Sequence, residues 1–236
     1  MFSGCATGNG DGDSSADAGG GDCGCTGAIQ APPTDLPVVA AISDTYTPTK
    51  YLHIEGLDIH ILGTPTVSEW MMREGCQVVE NMVRALKQEE DRAMFEGHLA
   101  YFITDDDPSF GYIPGHRNTA GDGFSLFNEV LVCADAKDTL RPKSTGSYRA
   151  WNTPVHEFGH AIEETLGLHA RTAKAYSENR DDYNAKTPEY FAWGTQAWFA
   201  SSPDRETIRE NMYDWEFEYF ATVFDVENTW LPLCTR

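Results

Sequence analysis

The segment Thr153-Pro154-Val155-His156-Glu157-Phe158-Gly159-His160 constrains this chain more than any other, because its spacing makes chemical sense only on a helix. Residues four apart share one helical face, so His156 and His160 can turn ring nitrogens toward the same Zn2+. Glu157 follows the first of them, where a carboxylate can take a proton from a water activated by the metal. The flanks favour a helix: Thr153 is a capping hydroxyl, Pro154 suits the first helical position, and Gly167 is a C-terminal stop. Val155, Phe158, Gly159, Ala161, Ile162 and Leu166 leave the other faces apolar or small, as a buried active-site helix requires. A purely structural histidine pair is the competing reading, and the caps and apolar faces weigh against it.

Around this helix the patterning predicts an α+β fold, a small mixed or antiparallel sheet packed on helices, with a mainly helical C-terminal part. Tyr51 to Ile54 and Leu57 to Leu62 alternate about a turn at Glu55-Gly56 and read as two strands. A long helix follows, opened by a Thr66/Glu69 capping box and carrying Met71, Val78, Val79, Met82, Val83 and Leu86 at helical spacing. Leu99 to Thr104 and Ser125 to Ala134 are predicted strands, and Asp105 to Asp107 a solvated acidic turn. After the His156 helix the chain reads as irregular to Lys186. A helix is predicted from Pro188 to Phe199, and amphipathic, aromatic helical cover over Arg205 to Phe224.

The 236 residues leave room for one domain of roughly 200 residues with a real core. Residues 1–36 are rich in Gly, Asp and Ser, contain no Lys or Arg, and are expected to be a disordered tail; residues 37–236 form the expected catalytic domain. With 37 acids against 17 bases, a net charge of −20 argues against binding nucleic acid or anionic membrane through a basic surface. No stretch reaches the ~18 apolar residues of a transmembrane segment. Met1 to Cys5 resembles the end of a bacterial lipoprotein signal, with Cys5 in the acylated position, although the basic and apolar stretches that precede such a cysteine are missing. An extracellular or cell-surface location is the expectation. Cys76, Cys133 and Cys234 can form one disulfide among themselves or reach the tail cysteines, and sequence does not choose between these. Cys23-Gly-Cys25 is read as a feature of the tail.

A catalytic zinc takes three protein ligands and keeps one position open. The metzincin spacing fails, because Glu163 and Leu166 stand where it needs Gly and His. His169 lies past Gly167 and reads as a surface or capping histidine. Glu189 is the better third ligand: it opens the apolar, aromatic run Tyr190 to Phe199, where a carboxylate facing the core needs a cation. The alternative is a surface carboxylate that favours the helix dipole.

HEFGH followed by a helix bearing Glu-Tyr-Phe-Ala resembles the gluzincin pattern of the thermolysin-like clan, and is most similar to catalytic domains of the anthrax lethal factor type. The likeness covers roughly residues 95–200 and is specific at the two helices. It implies a zinc metallopeptidase with Zn2+ on His156, His160 and Glu189, Glu157 as general base, and a peptide or protein substrate. It also implies an antiparallel edge strand, here Ser125 to Ala134, along which the substrate lies. Family members use a tyrosine shortly before the ligand Glu to stabilise the oxyanion; Tyr183 is the nearest match, with Tyr176, Tyr190 and His169 as rivals. Many gluzincins also place an acid four residues after the ligand Glu, where this chain has Trp193; Glu164, Asp181 or Asp182 are the candidates for that supporting role. Two other functions fit the motif: a non-catalytic zinc-containing adhesion or matrix-binding protein, and a zinc hydrolase of non-peptide amides. Substrate preference and oligomeric state are not written in the pattern.

Overall fold

The computed structural model of the chain describes residues 24–36, 48–65, 67–102, 124–127, 153–180, 189–199, 209–210 and 212–227. Within them the architecture is α+β, a four-stranded mixed sheet followed by helices.

Strands β1 (Lys50–Ile54) and β2 (Ile59–Gly63) pair antiparallel, with His53 opposite His60 and Ile54 opposite Ile59. Leu52, Ile54, Ile59 and Ile61 are buried on one face, and Tyr51 and Leu62 are buried on the other, where His53 and His60 are half-buried. The second strand starts later than the pattern predicts. Glu55–Leu57 make a 3-10 turn, and Asp58 follows at φ 49°, a left-handed conformation that Asp tolerates better than most residues. Strands β3 (Leu99–Phe102) and β4 (Phe124–Phe127) complete the order β1-β2-β3-β4, each parallel to its predecessor. Among the described residues β4 therefore holds the edge position expected of it but runs parallel to β3, not antiparallel. Residues 103–123 separate the two in sequence, and only a connection of that length can join parallel neighbours. Residues 103–104 and 128–134 of the predicted strands lie outside the described residues.

Helix α1 (Glu69–Arg84) buries Val78, Val79, Met82 and Val83 on one face, as its period predicts. Thr66 of the predicted capping box lies outside the described residues. A short α2 (Glu89–Ala93) leads to β3. The later helices are α3 (Thr153–Thr165), α4 (His169–Asn179), α5 (Tyr190–Trp198) and α6 (Asp214–Val223). Helix α4 falls where the sequence reads as irregular. Its fully buried positions are Thr172 and Tyr176, one of them polar, so its apolar period is faint.

Residues 24–36, expected as part of the tail, are joined to the body instead. Cys25 is buried and forms a disulfide with Cys76 on α1. Arg73 donates from one guanidinium nitrogen to the carbonyls of Cys25 and Gly27, both at 2.9 Å, and Gln30 bridges to Tyr51. A low-complexity composition cannot bury enough surface alone, and here the cross-link and a borrowed arginine hold the segment down.

Helix α5 sits at the centre, packed against both α3 and α6 and buried almost throughout. Phe191 and Trp198 stack on Phe220 at 5.1 and 6.1 Å between ring centroids. A Cβ on Gly194 would come within 2.4 Å of the Phe220 ring, so the α5–α6 approach requires glycine there. Arg209 closes the far end of α5, donating to the Trp198 carbonyl at 2.8 Å with its guanidinium 4.4 Å from that indole.

Candidate metal centre

The His156 helix ends as its glycine predicts. Gly167 adopts φ 60°, its N–H bonds the Glu164 carbonyl at 3.0 Å, and the Leu168 N–H bonds the Glu163 carbonyl at 2.8 Å. This double bond pattern is the Schellman stop, which uses up carbonyls that a helix end otherwise strands. Val155, Phe158, Ala161 and Ile162 face the core, with Phe158 against Phe95 and His98. With those positions committed inward, His156 and His160 share a half-buried face.

That face meets the start of α5. Glu189 stands at the N-cap position, its own carbonyl accepting from the Trp193 N–H at 2.9 Å. Its Oε2 lies 3.0 Å from His156 Nε2 and 3.7 Å from His160 Nε2, and one ligand atom from each residue falls within 4.8 Å of the others. Ligand atoms about 2.0–2.1 Å from a tetrahedral zinc are about 3.3 Å apart, so the two measured separations bracket the spacing such an ion sets. The imidazole planes stand at 87°, as two ligands approaching one centre from different sides do. The donor set of two imidazoles and a carboxylate fits Zn2+.

The electrostatics of the three groups are mutual. Hydrogen bonds from His156 and then His160 hold the Glu189 carboxyl far below the usual carboxylate range, against the opposing effect of burial. For His160, burial alone would lower the pKa, but the Glu189 hydrogen bond and the charges of Glu189, Glu157 and Glu163 outweigh it and the net shift is upward. Glu157 is half-buried beside this cluster, near enough for its charge to be felt at His160.

Two residues to which the sequence reading gave no role at the site shape the centre. Gln196 Oε1 accepts a hydrogen bond from His156 Nδ1 at 3.2 Å, which orients the ring with Nε2 toward Glu189. Gln196 is seven residues past Glu189, two turns along the same face, and is a polar side chain in an apolar helix; that contrast was the available signal. It supplies from the next turn the support that Trp193 does not. Gly159 is the other: a Cβ there would meet the Ala192 Cα at 3.1 Å and Thr195 Oγ1 and Cβ at 3.1 and 3.2 Å, so glycine lets α3 and α5 approach closely enough for Glu189 to reach both histidines.

The remaining candidates fall elsewhere. Glu164 is half exposed and pairs with His169 Nε2 at 2.6 Å, while His169 Nδ1 lies 3.4 Å from the buried Glu163. Glu164 is thus a surface partner and not a support for His156 or His160, and His169 ties the start of α4 to the end of α3. Tyr176 is buried, its hydroxyl on the Glu216 carboxylate at 2.6 Å and the Tyr190 carbonyl at 3.0 Å. Neither His169 nor Tyr176 is therefore placed as an oxyanion donor. Tyr183, Asp181 and Asp182 lie outside the described residues. No family model, no curated protein and no solved structure matches this chain.

Proposed function

We propose that this chain is a zinc-dependent metallopeptidase of the gluzincin type, hydrolysing peptide bonds with Glu157 as general base. The observation that carries this reading is the convergence of His156 Nε2 and His160 Nε2 on Glu189 Oε2, across two closely packed helices. A Zn2+ held by His156, His160 and Glu189 would supply Lewis acidity to the scissile carbonyl and lower the pKa of water at the open position. Glu157 takes the proton of the attacking water and delivers it to the leaving nitrogen, so that the amine departs neutral. Gln196 keeps His156 in the ligating tautomer. Tyr183 is the proposed donor to the oxyanion. Among the described residues β4 is an edge strand, and this supports a peptide substrate, because a strand edge can accept an extended backbone. The Cys25–Cys76 disulfide supports an oxidising, extracellular or cell-surface setting.

Replacement Glu157→Gln tests the base: zinc is retained and hydrolysis of a mixed peptide library is lost, whereas unchanged turnover refutes the role. Replacement Glu189→Ala tests the ligand: full zinc occupancy in that variant removes Glu189 from the set. An adhesion or matrix-binding protein would hold metal and cut nothing; the intact Glu157 favours catalysis, since binding alone needs no base.

A further inference from the structure

Among the described residues, one other group brings three metal-ligating side chains together, on the β1–β2 hairpin. His53 and His60 are cross-strand partners, and their rings stack 4.8 Å apart with planes 10° from parallel. Asp58, on the turn between them, puts Oδ1 2.8 Å from His53 Nε2 and 4.0 Å from His60 Nε2. One ligand atom from each lies within 4.8 Å of the others. As at Glu189, the two separations bracket the roughly 3.3 Å that a tetrahedral ion imposes on its ligands. A single histidine satisfies one carboxylate; the second imidazole turned to the same oxygen is what a simple ion pair leaves unexplained.

The surroundings hold the group in place. His60 Nδ1 bonds the Tyr51 hydroxyl at 2.9 Å, and with that nitrogen as the donor the Nε2 lone pair is left for a ligand, the outer-shell arrangement that orients metal-binding imidazoles. Asp58 is fixed on both sides: its N–H meets the Glu55 carbonyl at 3.4 Å, and its carbonyl accepts from the Gly97 N–H at 2.7 Å. Its left-handed φ of 49° is the conformation that places its carboxylate in this group. His53 and Asp58 are 31% and 57% exposed, so an ion enters without the fold opening and water can complete its shell. Neutral imidazoles and one carboxylate suit a borderline divalent ion, not the all-oxygen preference of calcium or magnesium.

We propose that His53, Asp58 and His60 bind a second divalent transition-metal ion, of the zinc class, which clamps the β1–β2 hairpin. The site shares no residue with the His156 centre and lies on the two strands at the opposite edge of the sheet from β4. It joins β1, the turn and β2, and through the Asp58–Gly97 bond it reaches the chain entering β3.

Equilibrium dialysis against Zn2+, with metal content by mass spectrometry, tests this. Two zinc ions per chain are expected for the unaltered protein, and one for the double variant His156→Ala/His160→Ala. Adding His53→Gln or Asp58→Asn to that background removes the remaining ion, and Tyr51→Phe weakens it about tenfold. Imidazole nitrogen resonances of His53 and His60 in the unaltered protein shift on adding Zn2+, a readout that needs no substitution at the site. The proposal is overturned if the double variant, folded by circular dichroism, binds no zinc, or if its zinc survives both His53→Gln and Asp58→Asn. It fails too if the His53 and His60 resonances do not move. One ion lost with His53→Gln but indifferent to His156→Ala/His160→Ala would sink the peptidase centre and leave this site standing.

Discussion

Replacement Gly159→Ala sets two effects against each other. In an ordinary helix interior the alanine would stabilise by about 1 kcal/mol. Here its methyl would stand 3.1 Å from the Ala192 Cα and 3.1 and 3.2 Å from Thr195 Oγ1 and Cβ, several tenths of an ångström inside the ~3.5–4.0 Å optimum for carbon contacts. Neither neighbour yields readily. Ala192 offers backbone, and Thr195 is held by its own bond to the Phe191 carbonyl at 2.7 Å. Overpacking of this kind costs about 1–3 kcal/mol, so after the propensity gain the expected net loss is about 0–2 kcal/mol. For a chain of this size that lowers Tm by up to roughly 8 °C. Urea unfolding in excess chelator should show a lower midpoint with an unchanged slope, and zinc should bind more weakly because Glu189 moves away with α5. A variant more stable than the parent, with the same zinc affinity, would refute the claim that glycine sets the helix approach.

Gln196→Leu should leave the chain folded but weaken zinc about 10–100-fold by freeing the His156 tautomer, measured by chelator competition; unchanged affinity would remove Gln196 from the centre. Cys25→Ala/Cys76→Ala opens a cross-link between residues 51 apart and should cost about 2–4 kcal/mol in denaturant unfolding, with residues 24–36 becoming protease-sensitive. Burial lowers the His98 pKa from its ordinary 6.5 to about 4. The unfolded chain binds that proton first, so stability present above about pH 6.5 falls by about 3 kcal/mol as pH drops toward 4; His98→Phe should flatten that slope in pH-dependent unfolding.

Much of the centre was legible in order along the chain, because helix periodicity and capping are local. His156 and His160 share a face by their spacing alone, Gly167 stops the helix where a left-handed residue was needed, and the apolar run after Glu189 marked a buried helix with an anomalous carboxylate at its start. Helix α4 was not legible, since its inward face is too short and too polar to leave a period. The direction of β4 was not either, because strand order depends on partners distant in sequence. Cys25 could not be matched to Cys76 by composition; the tail looked disordered until a cross-link and Arg73 were seen to hold its end.

By itself, then, the sequence determined which residues could serve a metal: each carries its ligand chemistry and its local helical phase wherever the fold puts it. Tertiary structure alone decided that Glu189 meets both histidines, that Gln196 and not Trp193 or Glu164 stands behind His156, and that His53, Asp58 and His60 face one another. Those are distances between atoms on different elements. They depend on how closely the helices and strands pack, which at the His156, His160 and Glu189 cluster comes down to the absence of a side chain at Gly159.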